Sequence, residues 1–156
     1  MGNPQRSPTP PVHAYPEYDQ DLIAWASANA ALLREGRLSE VDANHLAEEL
    51  EDLGKSERRA LCSHIRVLMI HLLKWQYQPG LQGPSWRLSI ENARREVQVI
   101  LEDSPSLRRE AEACLHKEYP SARRNAIVET GLSANRFPKT AAYDIEQVLA
   151  EDFWPR

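Results

Sequence analysis

Two histidines and a glutamate stand where their side chains would suit a metal ion. His45 and Glu49 lie four residues apart in the segment SEVDANHLAEELEDL, so both project from one face of a helix. His64 follows in the next apolar-periodic segment, and a helical hairpin turning at Gly54 would bring it opposite His45. Imidazole and carboxylate groups on adjacent turns can reach one divalent cation. The pattern indicates a candidate metal site made of His45, Glu49 and His64, as in a metal-dependent hydrolase or nuclease.

A second enzymatic interpretation uses arginine and histidine together. Arg59 with His64, and Arg66 with His71, match the Arg-x4-His spacing of the all-α HEPN ribonucleases. Five residues of regular helix place the two side chains about 140° apart, so they share an active face only if the helix is kinked. The metal pattern also differs from the Glu-x-x-His pairs of helical di-metal proteins. Both enzymatic interpretations are therefore kept as alternatives.

The stretch HLLKWQYQPG (71–80) suggests a binding site. His71 borders the apolar stripe of its helix, Trp75 lies on or near that stripe, and Lys74 points away from it. After the loop PGLQGPS, Trp86 and Arg87 begin the next helix. We expect an aromatic-walled pocket at this end of the fold, lined by His71, Trp75, Trp86 and Arg87. The alternative is that the two tryptophans simply close one end of a helical bundle.

The elements that position these residues all have helical period. Apolar residues recur at three- and four-residue intervals in every long segment, and no segment alternates polar and apolar residues for the length of a strand. The sequence predicts an all-α fold, an up-and-down helical bundle with short connections. Gly54 is expected to end the second helix, and Pro120 to kink or break the fifth.

The placement of the prolines predicts how the chain is divided into a lead-in and a folded domain. Five of the eleven prolines fall within residues 1–16, which predicts a flexible, proline-rich N-terminal lead-in, followed by a single all-α domain over 17–156. No secretory signal or membrane-spanning segment is recognised, so a cytoplasmic location is expected. Cys62 and Cys114 have no CxxC spacing and are expected to be buried free thiols.

Charge is distributed unevenly along the chain. Residues 15–54 carry ten acidic residues against two arginines, a balance of −8, whereas residues 55–128 carry thirteen basic against eight acidic residues, a balance of +5. These segments either pair within one domain or offer a basic face to an acidic partner. The overall charge of −4 gives no general attraction to nucleic acid. No glycine-rich phosphate loop or GxSxG elbow occurs in the sequence, and no cofactor is expected.

Several strings resemble one known family. YDQDLIAWASANAALLREGRLSEVD (18–42), LAEELEDLG (46–54), HLLKWQYQP (71–79), SWRLSI (85–90) and SPSLRR (104–109) are similar, in order and spacing, to the bacterial family catalogued as domain of unknown function twenty-nine. The resemblance extends from Tyr18 to Trp154 and implies a small, helical, cytosolic protein without an assigned activity. The family's motifs fall here on Trp25, Leu33, Arg34, Glu48, Glu49, Leu53, His71, Lys74, Trp75, Trp86 and Arg87.

The sequence as a whole favours a non-enzymatic protein-interaction module. A complete helical pattern without a recognisable nucleophile and base supports this hypothesis, as does the charge asymmetry. A protein partner or self-association is expected, with no membrane association and nucleic acid unlikely. The alternative is a metal-dependent or HEPN-like hydrolase or nuclease that uses the histidines of the second and third helices.

Overall fold

The structure, a computed structural model, describes residues 16–156, and this part of the chain contains helices, turns and loops but no β-strand. The all-α helical bundle predicted from the sequence is confirmed. The proline-rich lead-in lies, apart from Pro16, outside the described residues. The helices are α1 (Leu22–Arg34), α2 (Ala43–Tyr77), α3 (Pro84–Asp103), α4 (Arg108–Thr130) and α5 (Ile145–Leu149). Short 3-10 turns occupy Leu38–Glu40, Pro79–Leu81, Pro105–Leu107 and Ala134–Arg136.

Helix α2 is continuous across Gly54, so the expected helix end at this residue is wrong. A glycine ends a helix most readily by adopting a left-handed conformation, and only Gly36 and Gly131 have positive φ among the described glycines. Gly54 keeps right-handed geometry, which costs about 1 kcal/mol relative to alanine but does not stop the helix. The second and third helices of the sequence analysis are therefore one element of 35 residues.

The chain divides into two compact units, Met1–Asp52 and Leu53–Arg156, which we call the N-terminal and C-terminal units. The single domain expected over 17–156 stays a prediction beside this division. In the N-terminal unit, α1 begins where the Asp21 carboxylate accepts a hydrogen bond from the Ala24 amide at 3.0 Å. The inward face of α1 consists of Trp25, Asn29 and Leu32, all buried.

The C-terminal unit holds a continuous apolar core. Helix α2 contributes a stripe at the spacing predicted from the sequence, and α3 and α4 contribute the facing stripes. The α5 side chains Val148, Leu149 and Ile145 close this core. The largest fully buried aliphatic side chains are Leu61, Ile65, Leu68 and Leu72 from α2, Ile90 and Val97 from α3, Leu115 from α4, and Val148 from α5.

Helices α2 and α4 run parallel within the C-terminal unit. Three contacts between them, and a fourth from Gln78 directly after α2, join residues separated by the same 52 positions, and a constant offset requires both helices to advance in one direction. Helix α3 returns the chain between them, which gives the up-and-down arrangement. The contacts are the ion pairs Arg58–Glu110 and Arg66–Glu118, the Cys62–Cys114 disulfide, and the hydrogen bond from the Gln78 side chain to the Thr130 carbonyl.

The disulfide corrects the expectation of free thiols. Cys62 and Cys114 are bonded with their Cα atoms 4.9 Å apart, and neither cysteine of the chain is free. Their separation along the sequence follows no short motif, because the pairing is created by the parallel packing of α2 on α4.

Helix α4 also contains Pro120 without being broken there. Proline removes one backbone donor, yet helical structure continues for ten further residues and ends at Gly131, whose φ is 66°. Among the described residues, none of the helices combines the length and apolar character needed to cross a bilayer.

Candidate functional site

The N-terminal unit is organised around the carboxylate of Asp42. Its Oδ2 atom accepts a hydrogen bond from the Trp25 indole nitrogen at 3.1 Å and lies 2.6 Å from Nδ1 of His45. The Asp42 amide donates to the Asn29 side chain at 2.8 Å, and Asn29 in turn donates to the Trp25 carbonyl at 3.0 Å. This network ties the buried face of α1 to the start of α2.

Tyr18 completes this network, which we call the Asp42 cluster (Tyr18, Trp25, Asn29, Asp42, His45 and Glu49). Its ring stacks on the His45 imidazole with centroids 4.3 Å apart and meets the Trp25 ring edge-on at 5.0 Å. Its hydroxyl donates to the Glu49 carboxylate. That hydrogen bond, helped by burial and by nearby negative charge, raises the pKa of Tyr18 to about 12.

The hydrogen bond between Asp42 and His45 favours the charged form of both side chains. Burial raises the pKa of Asp42, but hydrogen bonds from His45 and Trp25 outweigh it and hold the pKa below its ordinary value. The hydrogen bond to Asp42 raises the pKa of His45. Carboxylate and imidazole are two members of a catalytic triad. The rings that contact His45 are those of Tyr18 and Trp25, however, and the Tyr18 hydroxyl is directed to Glu49 rather than to the imidazole. These contacts fix α1 on the start of α2.

The candidate metal ligands fall in different units. His45 and Glu49 lie in the first turns of α2, in the N-terminal unit, and are engaged by Asp42 and Tyr18, whereas His64 lies in the part of α2 that belongs to the C-terminal unit. The hairpin at Gly54 that would bring His64 opposite His45 does not form, because α2 continues through Gly54. Within residues 16–156 no group of three histidine, cysteine or acidic side chains is arranged to hold a metal ion.

The two Arg-x4-His pairs lie on the same uninterrupted helix. Helix α2 contains no proline, so the angular separation of about 140° between each arginine and histidine is retained. Arg66 is directed to Glu118 on α4, at 3.3 Å. The geometry gives no shared arginine–histidine face.

All four residues expected to line a pocket lie in the C-terminal unit. Two of them, Trp75 and Arg87, contact Trp154, which was not among the expected pocket residues. The Trp154 ring packs against Trp75 with centroids 4.8 Å apart, and the Arg87 guanidinium lies 4.8 Å above the same ring. Trp86 instead receives the Lys74 ammonium at 5.1 Å. The chain's own C-terminal segment thus supplies an aromatic partner for Trp75 and Arg87. A ligand pocket here stays a prediction.

His71 lies half-buried on α2. Its Nδ1 atom is the one buried side-chain polar atom without a hydrogen-bond partner in the described part of the chain. Burial lowers the pKa of His71, and the neighbouring Lys74 charge lowers it further. Neutral imidazole is consistent with a histidine at the border of an apolar core.

Arg94 is the polar residue that sequence reasoning missed. It is 2% exposed, and its guanidinium donates to the carbonyls of Val148, Glu151 and Phe153 at 2.9, 3.3 and 2.5 Å. The sequence feature that indicates the burial of Arg94 is its position four residues after Ile90, on the apolar stripe of α3. The next residue, Arg95, is exposed.

Helix α1 carries exposed apolar side chains. Leu22, Ile23 and Leu33 of α1 are 46%, 76% and 45% exposed. Ile23 lies about 160° around the helix from the buried Trp25, whereas Leu22 and Leu33 lie about 60° and 80° from Trp25, beside the buried face. We call these three residues the α1 outer face. Leu50 of α2 is also 69% exposed.

Comparison with protein families gives one decisive result. A family described as Domain of unknown function DUF29 matches residues 17–154. The chain belongs to this family. Comparison with curated proteins and with solved structures found no match. The DUF29 motif positions recognised in the sequence divide between two places in this structure. Trp25 and Glu49 belong to the Asp42 cluster, while Trp75, Trp86 and Arg87 lie in the C-terminal unit.

Proposed function

We propose that this DUF29 protein is a non-enzymatic protein-interaction module whose docking surface is the α1 outer face. The observation that carries the proposal is the exposure of Leu22, Ile23 and Leu33 on a helix whose buried face is held by the Asp42 cluster. A solvent-exposed apolar face on an ordered helix is typical of a surface that another protein covers.

The charge around this face indicates the chemistry of the partner. Residues 16–52 carry ten acidic side chains against Arg34 and Arg37, and Arg37 is already paired with Glu35 and Glu40. A partner that presents apolar side chains within a basic rim would be attracted to this unit. The proposed occupant is therefore a basic, amphipathic segment of another protein.

We also propose that the protein is located in the bacterial cytoplasm. The enzymatic alternative has less support, because His45, Glu49 and His64 do not converge and the Arg-x4-His pairs share no face. The predicted pocket near Trp75 and Arg87 is not needed for the proposed docking.

The test is native mass spectrometry of the protein purified gently from its own cells. The Ile23→Ser/Leu33→Ser double variant should lose the partner mass, with affinity reduced at least about tenfold, because each buried aliphatic side chain contributes about 1.5–3 kcal/mol. Val128→Ser is the matched control, since Val128 is 77% exposed on α4 and lies outside the proposed surface.

The wild-type complex should also weaken as salt is raised, because screening reduces attraction between an acidic face and a basic partner. The proposal is wrong if the double variant retains its partner as well as Val128→Ser does. It is also wrong if the wild-type protein is a bare monomer under conditions of low salt, or if the added mass is a second copy of the chain.

A further inference from the structure

The Cys62–Cys114 disulfide lies beside a basic cleft in the C-terminal unit. The cleft has a volume of about 300 Å³, and Cys62 is one of its lining residues. Cys62 is 7% exposed and Cys114 4% exposed, and Cys114 packs among the core residues of α4. Cys62, and not Cys114, is therefore the cysteine that a reagent in the cleft meets.

Four cations surround the cleft against one carboxylate. Arg58 and Arg66 pair with Glu110 and Glu118, at the two sides of Cys62 along α2. Arg59 and Lys117, by contrast, have no carboxylate within ion-pair distance in the described part of the chain. The lining residues are Arg58, Arg59, Cys62, Ser63, Arg66, Lys117 and Glu118. Two unpaired cations beside a sulfur atom form a place where an anion is attracted.

We propose that this cleft is a thiol–disulfide exchange site that binds an anionic low-molecular-weight thiol. The anionic group of the thiol contacts Arg59 and Lys117 while its sulfur approaches Cys62. The same cations lower the energy of a thiolate at Cys62, the condition for a reactive cysteine.

The exchange consists of two displacements. The thiolate RS⁻ attacks the Cys62 sulfur, an R–S–S–Cys62 bond forms, the Cys62–Cys114 bond breaks, and Cys114 leaves as a thiolate. A second RS⁻ attacks the R–S sulfur of the mixed disulfide, forming RSSR and releasing Cys62 as a thiolate. Two thiols are thus oxidised, one protein disulfide is reduced, and the cysteine thiolates take protons from water.

The bundle is built to keep its helices together when this bond opens. The Arg58–Glu110 and Arg66–Glu118 pairs lie one turn to either side of the disulfide, and Lys74 reaches Glu129 at 2.7 Å further along. Both cysteines belong to the apolar core, but most of that core consists of aliphatic and aromatic side chains that contain no sulfur. A disulfide placed in this way agrees with a cytoplasmic location, where such bonds are mostly exchanging rather than permanent.

The test compares three monothiols of similar size on the full chain: anionic mercaptoethanesulfonate, neutral mercaptoethanol and cationic cysteamine. Reduction is followed by mass spectrometry after acid quenching and alkylation, and rate constants are expressed per thiolate. We expect mercaptoethanesulfonate to react about tenfold faster than mercaptoethanol, and cysteamine to react more slowly than either. The preference should disappear at about 1 M salt.

The Arg59→Gln/Lys117→Gln variant should lose this preference. Arg95→Gln/Arg124→Gln, which removes the same charge from residues that do not line the cleft, should keep it. The first mixed disulfide should form on Cys62. Equal rates for the three thiolates, or the same preference in both variants, would overturn the proposal. An adduct found on Cys114 would do so as well.

Two further measurements separate an exchange site from a structural bond. Circular dichroism of the reduced protein should show the helical content of the oxidised protein, and unfolding on reduction would contradict the proposal. In the Cys114→Ser variant, the rate of Cys62 alkylation by iodoacetamide against pH should give a thiol pKa below the ordinary value of about 8.5. A value at or above that would contradict the effect assigned to the cations.

Discussion

At the scale of single residues, Asp42 shows how one carboxylate connects several elements. Its carboxylate forms hydrogen bonds with the Trp25 indole, the His45 imidazole and the His45 amide. Asp42 thereby caps the start of α2 and holds α1 against this helix. Asp42 and His45 are three residues apart, a spacing that places both on one side of the helix and lets them meet. The hydrogen bonds of Asp42 to α1 were not predictable, because they depend on the turn at 35–42 that returns the chain.

The pH dependence of this pair can be derived from the direction of each pKa. The His45 pKa is raised, so its contribution to stability is complete below 6.5 and is lost as pH rises through the folded-state pKa. The Asp42 pKa is lowered, so its contribution is present above 3.8 and is lost as pH falls through the folded-state value. The pair therefore stabilises the N-terminal unit most between these two limits.

The corresponding prediction is an elevated His45 pKa in NMR titration of the imidazole. Asp42→Asn should return it toward the ordinary value of 6.5, because it removes the charge that the imidazolium faces. Asp19→Asn should leave it nearly unchanged, because Asp19 raises the His45 pKa least among the nearby acidic residues. An unperturbed His45 in the wild-type protein would show that the hydrogen bond to Asp42 does not persist in solution.

Arg94 gives a second prediction at this scale. Arg94→Ala should lower the free energy of unfolding by about 3 kcal/mol, because three carbonyls near the C-terminus lose their donor in a buried setting. Arg95→Ala changes the exposed neighbour on the same helix and should alter stability by no more than about 0.5 kcal/mol. Urea unfolding measures both, and equal losses in the two variants would contradict the buried anchoring by Arg94.

At the scale of elements, sequence patterns located the helical faces better than the helix ends. The stripes of α2 and α3 in the C-terminal unit were predicted correctly because apolar spacing reports directly on burial. Gly54 was expected to end a helix and Pro120 to kink or break one, but helical structure continues through both residues. Each lowers local helix stability, but the packing of long helices outweighs a local cost of about 1 to 3 kcal/mol.

Gly54 provides the prediction for the elements. A Cβ added there meets nothing within 4 Å, and the residue is helical, so Gly54→Ala should stabilise the protein by about 1 kcal/mol. Gly131→Ala also meets open space, but its φ of 66° strains any other residue, and a loss of about 1 kcal/mol is expected. Thermal unfolding of both variants distinguishes them. Destabilisation by Gly54→Ala would indicate that α2 is interrupted there after all.

At the scale of the whole molecule, length, charge and apolar period were enough to predict the fold class. They were not enough to locate a site. The expected metal ligands depended on a hairpin, and the expected pocket residues depended on what the C-terminal segment does, which short patterns around Trp75 and Trp86 do not contain. The disulfide was missed for the same reason, because it follows from the register of α2 on α4.

That register has a topological consequence. Since Cys62 and Cys114 stand before and after α3, their bond closes residues 62–114 into a covalent ring. A protease that cuts the loop at 78–83 opens the ring without releasing a fragment, because both pieces remain joined through sulfur. A nicked molecule would then travel as one body for as long as the bond lasts, and would be divided only by a reductant.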